Sequence, residues 1–600
     1  MADEQRERGW RQFDRLSFDS KKMSKRMKKA EGATTRHAHK FIVNRLDNIR
    51  SVRRQIIGWL VLVGCMVAAV GLQLMWFQQS YLAKAADPGG TYAEASLGPI
   101  DTLNPLFAAS SAEVAASHLM FSSLYTYDKT GHLSGDVAQD IQVDPTGMIY
   151  TVKLRPGVSW HDGTLLTAKD VAFTVNLIKN PETRSPLRVN WQEVTVRALD
   201  DMTVQFQLPA TYAAFPFALT FAVLPQHILK DVLPGAIREN SFSRAPVGSG
   251  PFSFRLLQTA DASTGHKVVH MTASENYYKG TPKLNRFEIH AYNTQEDIMR
   301  ALKTGEVSAA SDVSSNSVDR INKHNYHATS HPVNSGVYTL FNVTNPILKD
   351  PVVRQALQQG TDTQAIRKEL PGNAPALDLP FVSGQLTGDD VPHAAPVNVK
   401  NAEALLDGAG WKLVGGVRQK EAQKLTLKIT TTKNDEYEKV LELLAGQWRR
   451  LGVSVTTEVI DTTNPSINFV QNTLQPRNYD VLLYELLIGA DPDVYAYWHS
   501  SQGGMSGYNF SNYNNQTADT ALASARSSLS SELRNAKYKT FARQWLKDVP
   551  AIGLYQPVAQ YISSNHSRSI DDNTKLVSAS DRYADVLYWS VNEKSVYKTP

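Results

Sequence analysis

Residues 56–77, IIGWLVLVGCMVAAVGLQLMWF, are apolar apart from Gln73. At about 1.5 Å per residue, a helix of these 22 residues reaches across a hydrocarbon core of about 30 Å. The preceding residues 1–55 hold sixteen Lys/Arg against seven Asp/Glu and end in the doublet Arg53-Arg54. Positive flanks stay cytoplasmic, so 1–55 is expected to be a basic, disordered cytoplasmic arm, and the chain after 77 extracytoplasmic. The arm carries +9 of a chain whose formal charge is +5, which leaves −4 for residues 56–600. The basic character therefore belongs to the arm, and a nucleic-acid reading of the whole protein loses its support.

Two other readings of the run compete with an uncleaved anchor. A secretory signal would have an unusually long basic region and an apolar stretch beyond the usual length. Leu62-Val63-Gly64-Cys65 has the form of a lipobox around the only cysteine, but the chain stays apolar from Met66 to residue 77, where a lipidated cysteine needs a polar tether. The anchor is favoured, with Cys65 a small packing residue. A single cysteine also excludes an intramolecular disulfide and a cysteine-based zinc site.

A polar tether, 78–87, leads into roughly 500 residues without a second spanning run, too many for one core and enough for two or three lobes. Residues 202–208 alternate by twos, 267–271 are rich in β-branched side chains, and 437–451 carry apolar residues at helical spacing. An α/β fold is expected. Pro145-Thr146-Gly147, the glycine-rich 246–251 and the Pro/Ala/Gly/Asp-rich 371–396 punctuate it, the last as an exposed loop.

The most specific stretch is 154–175, LRPGVSWHDGTLLTAKDVAFTV. Pro156-Gly157 and Asp162-Gly163 supply turns, and Thr167 with Asp170 forms a capping-box pattern that starts a helix over 168–179. His161 and Asp162 are read as structural. This stretch resembles the signature region of the extracellular solute-binding proteins of family 5, the oligopeptide-, dipeptide- and nickel-binding components of ABC importers. Other blocks agree in order: 101–107 (DTLNPLF), 246–252 (PVGSGPF), Asn276-Tyr277-Tyr278 with Pro282, 353–357 (VRQAL), 402–411 (AEALLDGAGW) and 550–555 (PAIGLY). The resemblance implies a two-lobed periplasmic-binding-protein type II fold with an inserted third domain, closing over ligand at a hinge. Domain I would comprise 88–126, 228–333 and 563–600, the inserted domain II 127–227, and domain III 334–562.

Enzyme readings fail on spacing. Ser249 has glycines on both sides instead of a G-x-S-x-G elbow, and neither a phosphate loop nor H-E-x-x-H occurs. His266 and His270 lie four apart on a strand, which separates their side chains by about 13 Å. No catalytic residue, metal or cofactor is expected.

Two stretches have the composition of a binding cleft. In 479–498, an apolar strand runs into Asp491-Pro492-Asp493 and a Tyr/Trp cluster. In peptide-binding relatives an aspartate of the similar segment pairs with the ligand's α-ammonium, which suggests Asp491 or Asp493, although Asp-Pro-Asp is also an ordinary turn. In 336–345, Tyr338 and Asn342 share one strand face, with core packing the alternative for Tyr338. Glu485 interrupts an apolar strand; pairing with an arginine is preferred over contact with a basic ligand group. Tyr508, beside Asn509 in a loop that also resembles the family's, is expected to stabilise that loop more than to touch ligand. The resemblance implies a solute-binding subunit of an ABC importer, with peptide as first ligand and nickel complexes or oligosaccharides as alternatives. Its partners would be the permease subunits, the membrane through 56–77 and anionic lipid at the arm, with a monomeric ectodomain. A ligand sensor built on the same fold is the rival reading.

Overall fold

The computed structural model describes residues 49–597, apart from 371, 463 and 465. Residues 1–48 of the arm lie outside the described residues, and its last residues, 49–55, are helical where disorder was expected. The chain divides into two compact units, one comprising residues 1–85 with 595–600 and the other residues 86–594.

In the first unit a single helix, Ile49–Tyr81, runs for 33 residues. Its segment Ile57–Trp76 is the one stretch among the described residues long and apolar enough to cross a membrane, and its side chains are exposed. The helix overruns the apolar run at both ends because hydrogen bonding continues through Arg and Gln, which are good helix formers. Where a tether was expected, Leu82–Asp87 is a strand paired with Asn592–Tyr597.

The second unit holds three larger sheets. The seven-stranded sheet has the order Tyr326–Pro332, Val558–Ser564, Ala309–Ala310, Thr91–Leu97, Arg286–Tyr292, His266–Ala273 and Phe252–Asp261. Only the pairs made by Thr91–Leu97 are parallel. At its centre Glu94, fully buried, accepts hydrogen bonds from Arg582 Nη2 at 2.6 Å, Tyr583 Oη at 2.6 Å and Tyr561 Oη at 2.7 Å. A carboxylate removed from water this completely is tolerable only when paired and hydrogen-bonded on both oxygens. The network fastens the C-terminal segment across the lobe.

The five-stranded sheet has the order Ser454–Ile460, Thr426–Thr432, Val481–Leu487, Ser335–Phe341 and Ala551–Tyr555. Its first three strands are parallel, and the helix Asp435–Arg450 covers one face with Val440, Leu441, Leu444 and Trp448. Residues 372–398 have no regular structure and 387–398 are largely exposed, as expected, but the middle of the segment is buried. Leu377, Phe381 and Val382 are buried against Tyr338, Trp498 and Trp545. Apolar side chains scattered among the Pro, Gly and Asp anchor the segment to the opposite face of the sheet.

The third sheet, four antiparallel strands within 138–207, packs against the helix Ala168–Lys179, whose bounds match the capping pattern. Asp170 accepts from Thr167 N at 2.8 Å and from Gln226 N at 2.8 Å, so the cap also pins the chain leaving this domain. His161 is structural: Gly248 N–H donates to its Nδ1 at 3.2 Å, which leaves Nε2–H to donate to Gly250 O at 2.9 Å. Both glycines are required by close approach, since a Cβ at Gly248 would lie 1.9 Å from Met120 O and one at Gly250 2.7 Å from Leu119 O. Two of the sequence blocks thus meet in one backbone contact.

Candidate ligand-binding cleft

The chain crosses twice between the seven- and five-stranded sheets. Val333-Asn334 joins Tyr326–Pro332 to Ser335–Phe341, and Gln556-Pro557 joins Ala551–Tyr555 to Val558–Ser564. The second crossing precedes the expected boundary at 562/563, which falls inside a strand of the seven-stranded sheet. The crossings are braced to each other: Val333 N–H donates to Pro557 O at 3.1 Å and Gln556 Nε2 to Val333 O at 2.9 Å. Asn334 O accepts from Ile488 N at 3.0 Å and Gly489 N at 2.8 Å. These short connections form the hinge, and the carboxyl ends of the parallel strands of the five-stranded sheet, where ligands of open α/β sheets bind, lie beside it.

Two carboxylates lie here. Glu485, partly exposed, accepts from Ser335 Oγ at 2.5 Å and from Tyr437 Oη at 2.9 Å. Glu436 accepts from Tyr555 Oη at 2.7 Å. Asn434 delivers both helix residues: its side chain caps Asp435–Arg450 by accepting from Glu436 N and Tyr437 N. Burial pushes the Glu436 carboxyl above the ordinary range; the Tyr555 hydrogen bond opposes this and the Glu485 charge adds to it. Burial raises the Tyr437 phenol, and Glu485 raises it further. The arginine expected beside Glu485 is not there: among the described residues no Lys, Arg or His lies within salt-bridge distance of Glu485 or Glu436. Hydroxyl donors satisfy both acids without neutralising them, because the cross-strand neighbours of Glu485 are Val337 and Ser335 and the covering helix contributes tyrosine.

The Asp-Pro-Asp loop is neutralised instead. Arg534 holds Asp491 in a bidentate pair, Nη1 to Oδ2 at 2.8 Å and Nη2 to Oδ1 at 2.5 Å. Arg526 Nε lies 3.5 Å from Asp493 Oδ2, and its guanidinium sits over the rings of Tyr212 at 4.6 Å and Tyr495 at 4.7 Å. Burial raises the Asp493 carboxyl, with Arg526 opposing. Ala213 N–H donates to Arg526 O at 3.1 Å, so the end of the helix Gln516–Arg526, which carries the loop's cation, docks on the inserted domain.

The remaining expected residues separate from these. Tyr338 pairs in register with Tyr484, and Val337 with Glu485, so Tyr338 and Glu485 lie on opposite faces of one sheet. Tyr338 is fully buried, donates to Leu379 O at 3.0 Å and meets Trp498 and Trp545 edge-on. Asn342 donates to Tyr479 O at 3.2 Å and accepts from Asn512 Nδ2 at 3.1 Å, fixing the Asn509–Asn512 turn. Tyr508 is exposed, with Phe510 edge-on at 6.3 Å.

A cavity of about 320 Å³ lies between the first lobe and the inserted domain, lined by Tyr127, His118, Asp136, Tyr277, Lys279 and Asp581 among others, and by no residue of 334–562. Asp136 accepts from the Tyr278 hydroxyl and from Lys279 Nζ. The Tyr127 phenol is raised by burial and then by the charges of Asp581 and Asp491. Sequence reasoning missed Tyr127, Asp581, Glu436, Tyr437 and Tyr555. Tyr277 and Lys279 lie in or beside a quoted block, whereas Glu436 is one of three acids in a helix's first turn and carries no signal of its own.

A family model described as bacterial extracellular solute-binding proteins, family 5 middle, matches residues 132–507. The oligopeptide-binding protein AppA of Bacillus subtilis is 26% identical over 482 residues, covering 78% of this chain and 86% of AppA. A putative ABC transporter peptide-binding protein of Brucella ovis is 27% identical over 442 residues, covering 72% and 80% respectively. Among solved structures, Bacillus subtilis AppA in complex with a nonapeptide superposes with a TM-score of 0.67 at 24% identity, over 84% of this chain and 99% of that one. NikZ from Campylobacter jejuni in complex with Ni(L-His) superposes with a TM-score of 0.69 at 26% identity, over 83% and 99%. The fold is the expected two-lobed α/β architecture with an inserted domain, and the chain belongs to the bacterial extracellular solute-binding proteins of family 5.

Proposed function

We propose that this chain is the membrane-anchored binding subunit of an ABC importer: it captures a peptide between its lobes and delivers it to permease subunits, without chemistry of its own. The anchor is the helix segment Ile57–Trp76, with the basic arm cytoplasmic and the lobes outside. The observation that carries the ligand assignment is the pair Glu485 and Glu436 at the hinge, two carboxylates supplied with hydroxyl donors and no cation. A ligand ammonium or guanidinium there forms a charge-assisted hydrogen bond in a partly desolvated site. Asp491, already held by Arg534, is ion-paired within the protein and serves to fix the loop. Relatives described as peptide-binding support a peptide over other solutes.

The test is native mass spectrometry of the full-length chain purified in detergent, followed by identification of what it releases. Peptides with a free amino terminus or basic side chains are the expected cargo. A nickel chelate or an oligosaccharide recovered instead would sink the peptide assignment.

A further inference from the structure

On the seven-stranded sheet, the first lobe carries a further cluster that ligand capture does not use. His266 and His290 come from adjacent antiparallel strands and lie on one sheet face, beneath the helix Gln295–Thr304. Glu306 follows that helix. Its position is set by the helix stop: Gly305, at φ +74°, takes the left-handed conformation that ends the helix, and Glu306 N–H donates back to Ala301 O at 3.0 Å. One ring nitrogen from each histidine and one carboxylate oxygen lie within 4.8 Å of one another. His266 Nδ1 and His290 Nδ1 are each 3.9 Å from Glu306 Oε1.

Three features separate this from an ordinary histidine pair. Both rings are 7% exposed, and His290 Nδ1, which faces the cluster, has no hydrogen-bond partner among the described residues, a costly state for a buried lone pair. Its other nitrogen is already committed, because Nε2 lies 3.4 Å from Glu288 Oε2. A carboxylate accepts, so Nε2 carries the proton and Nδ1 presents its lone pair. Glu288 is in turn anchored by His270 Nδ1 at 3.0 Å. A carboxylate on the far nitrogen of a ligating imidazole is the usual outer-shell support of a metal site. Finally, Tyr292 stacks on His266 at 4.2 Å and closes one side, while Glu306 leaves the other side open.

We propose that His266, His290 and Glu306 form a binding site for a divalent transition metal, zinc first, separate from the ligand cleft. Two imidazoles and one carboxylate make a donor set that zinc accepts with a fourth position left to water. Donors around a tetrahedral zinc stand about 3.3 Å apart, so the three donors, now within 4.8 Å of one another, draw together on binding through movement of the exposed Glu306 side chain and of the two rings. The ion clips the turn after Gln295–Thr304 to the sheet. The spacing of His266 and His270 pointed away from a metal; the partner is His290, which sequence distance conceals.

The full-length chain, stripped with a chelator in detergent, is titrated with ZnCl2 by calorimetry, and the zinc retained after desalting is counted. One zinc per chain is expected. Glu306→Ala, a change at an exposed side chain that leaves the fold intact, weakens binding by more than the roughly 10–100-fold caused by losing outer-shell support, and Glu288→Gln by about that amount. Cobalt(II) as a second probe shows the intense visible bands of a four-coordinate ion in the wild type and loses them in Glu306→Ala. Failure of the wild type to retain zinc would overturn the proposal. So would unchanged zinc affinity in both Glu306→Ala and His290→Gln, which would place the ion elsewhere. Replacing Glu485 is expected to leave zinc binding unaltered.

Discussion

Glu94 and Glu485 are both carboxylates set into sheet strands, one in each lobe, and their surroundings differ in one respect. Glu94 is sealed from water and faces Arg582 at 2.6 Å, with tyrosine hydroxyls on both oxygens. Glu485 has hydroxyls alone, and so does its neighbour Glu436. A buried charge with its counter-charge inside the protein is finished, and removing either partner strands the other. A charge held by neutral donors at a hinge remains open to a cation from outside. By this criterion Asp491 belongs with Glu94, since Arg534 completes it.

Breaking the first member of this comparison should cost the most. Arg582→Met leaves Glu94 buried without a cation, and urea unfolding of the full-length chain should show a loss of about 3–5 kcal/mol. A loss below about 1 kcal/mol would mean that the tyrosines suffice and that the contrast between the two acids is false. Glu485→Gln should do the reverse: stability changes little, while affinity for a peptide with a free amine falls by roughly 10–100-fold, the equivalent of about 1.5–3 kcal/mol for a hydrogen bond to a charged group.

Acidification sharpens the contrast further. The Glu436 carboxyl is raised in the folded state by burial, so its ionisation costs stability: the favourable contribution is present at low pH and is lost as pH rises from the ordinary 4.5 through the raised folded value. A bound cation needs the ionised form. Affinity for a cationic peptide should therefore decline on acidification before pH 4.5 is reached, and Glu436→Gln should flatten that part of the profile. The smallest effect is expected at Tyr508. This exposed side chain meets Phe510 edge-on at 6.3 Å, so Tyr508→Ala should change stability by no more than about 0.5 kcal/mol in thermal unfolding.

Much of the fold was legible in the sequence because local rules and tertiary context agree there. The capping pattern at Thr167 and Asp170 marked a helix to the residue, and the glycines of 246–251 marked a backbone contact that only glycine permits. The loop 371–396 was legible as an exposed connection over its second half, while the few apolar residues that bury its middle are outweighed in composition by Pro, Ala, Gly and Asp. The site was less legible. Glu485 stood out as a charge in an apolar strand, but its partners come from Ser335, 150 positions away, and from Tyr437 on a covering helix, and no local pattern encodes that meeting. Tyr338 lies on the packed face of its strand, and Asn342 falls just past the strand's last residue, Phe341, where its amide fixes a turn. His266 and His290 came together only through strand pairing.

The central claim is that the hinge acids receive the ligand's cationic group. Its most direct test is a calorimetric cycle on the full-length chain, with a bound peptide and its amine-blocked analogue titrated into wild type and into Glu436→Gln/Glu485→Gln. Blocking the amine should weaken binding to the wild type by roughly 10–100-fold and have little further effect on the variant, the signature of two groups that act as a pair. Equal losses in both proteins would show that the amine is recognised elsewhere and would contradict the account.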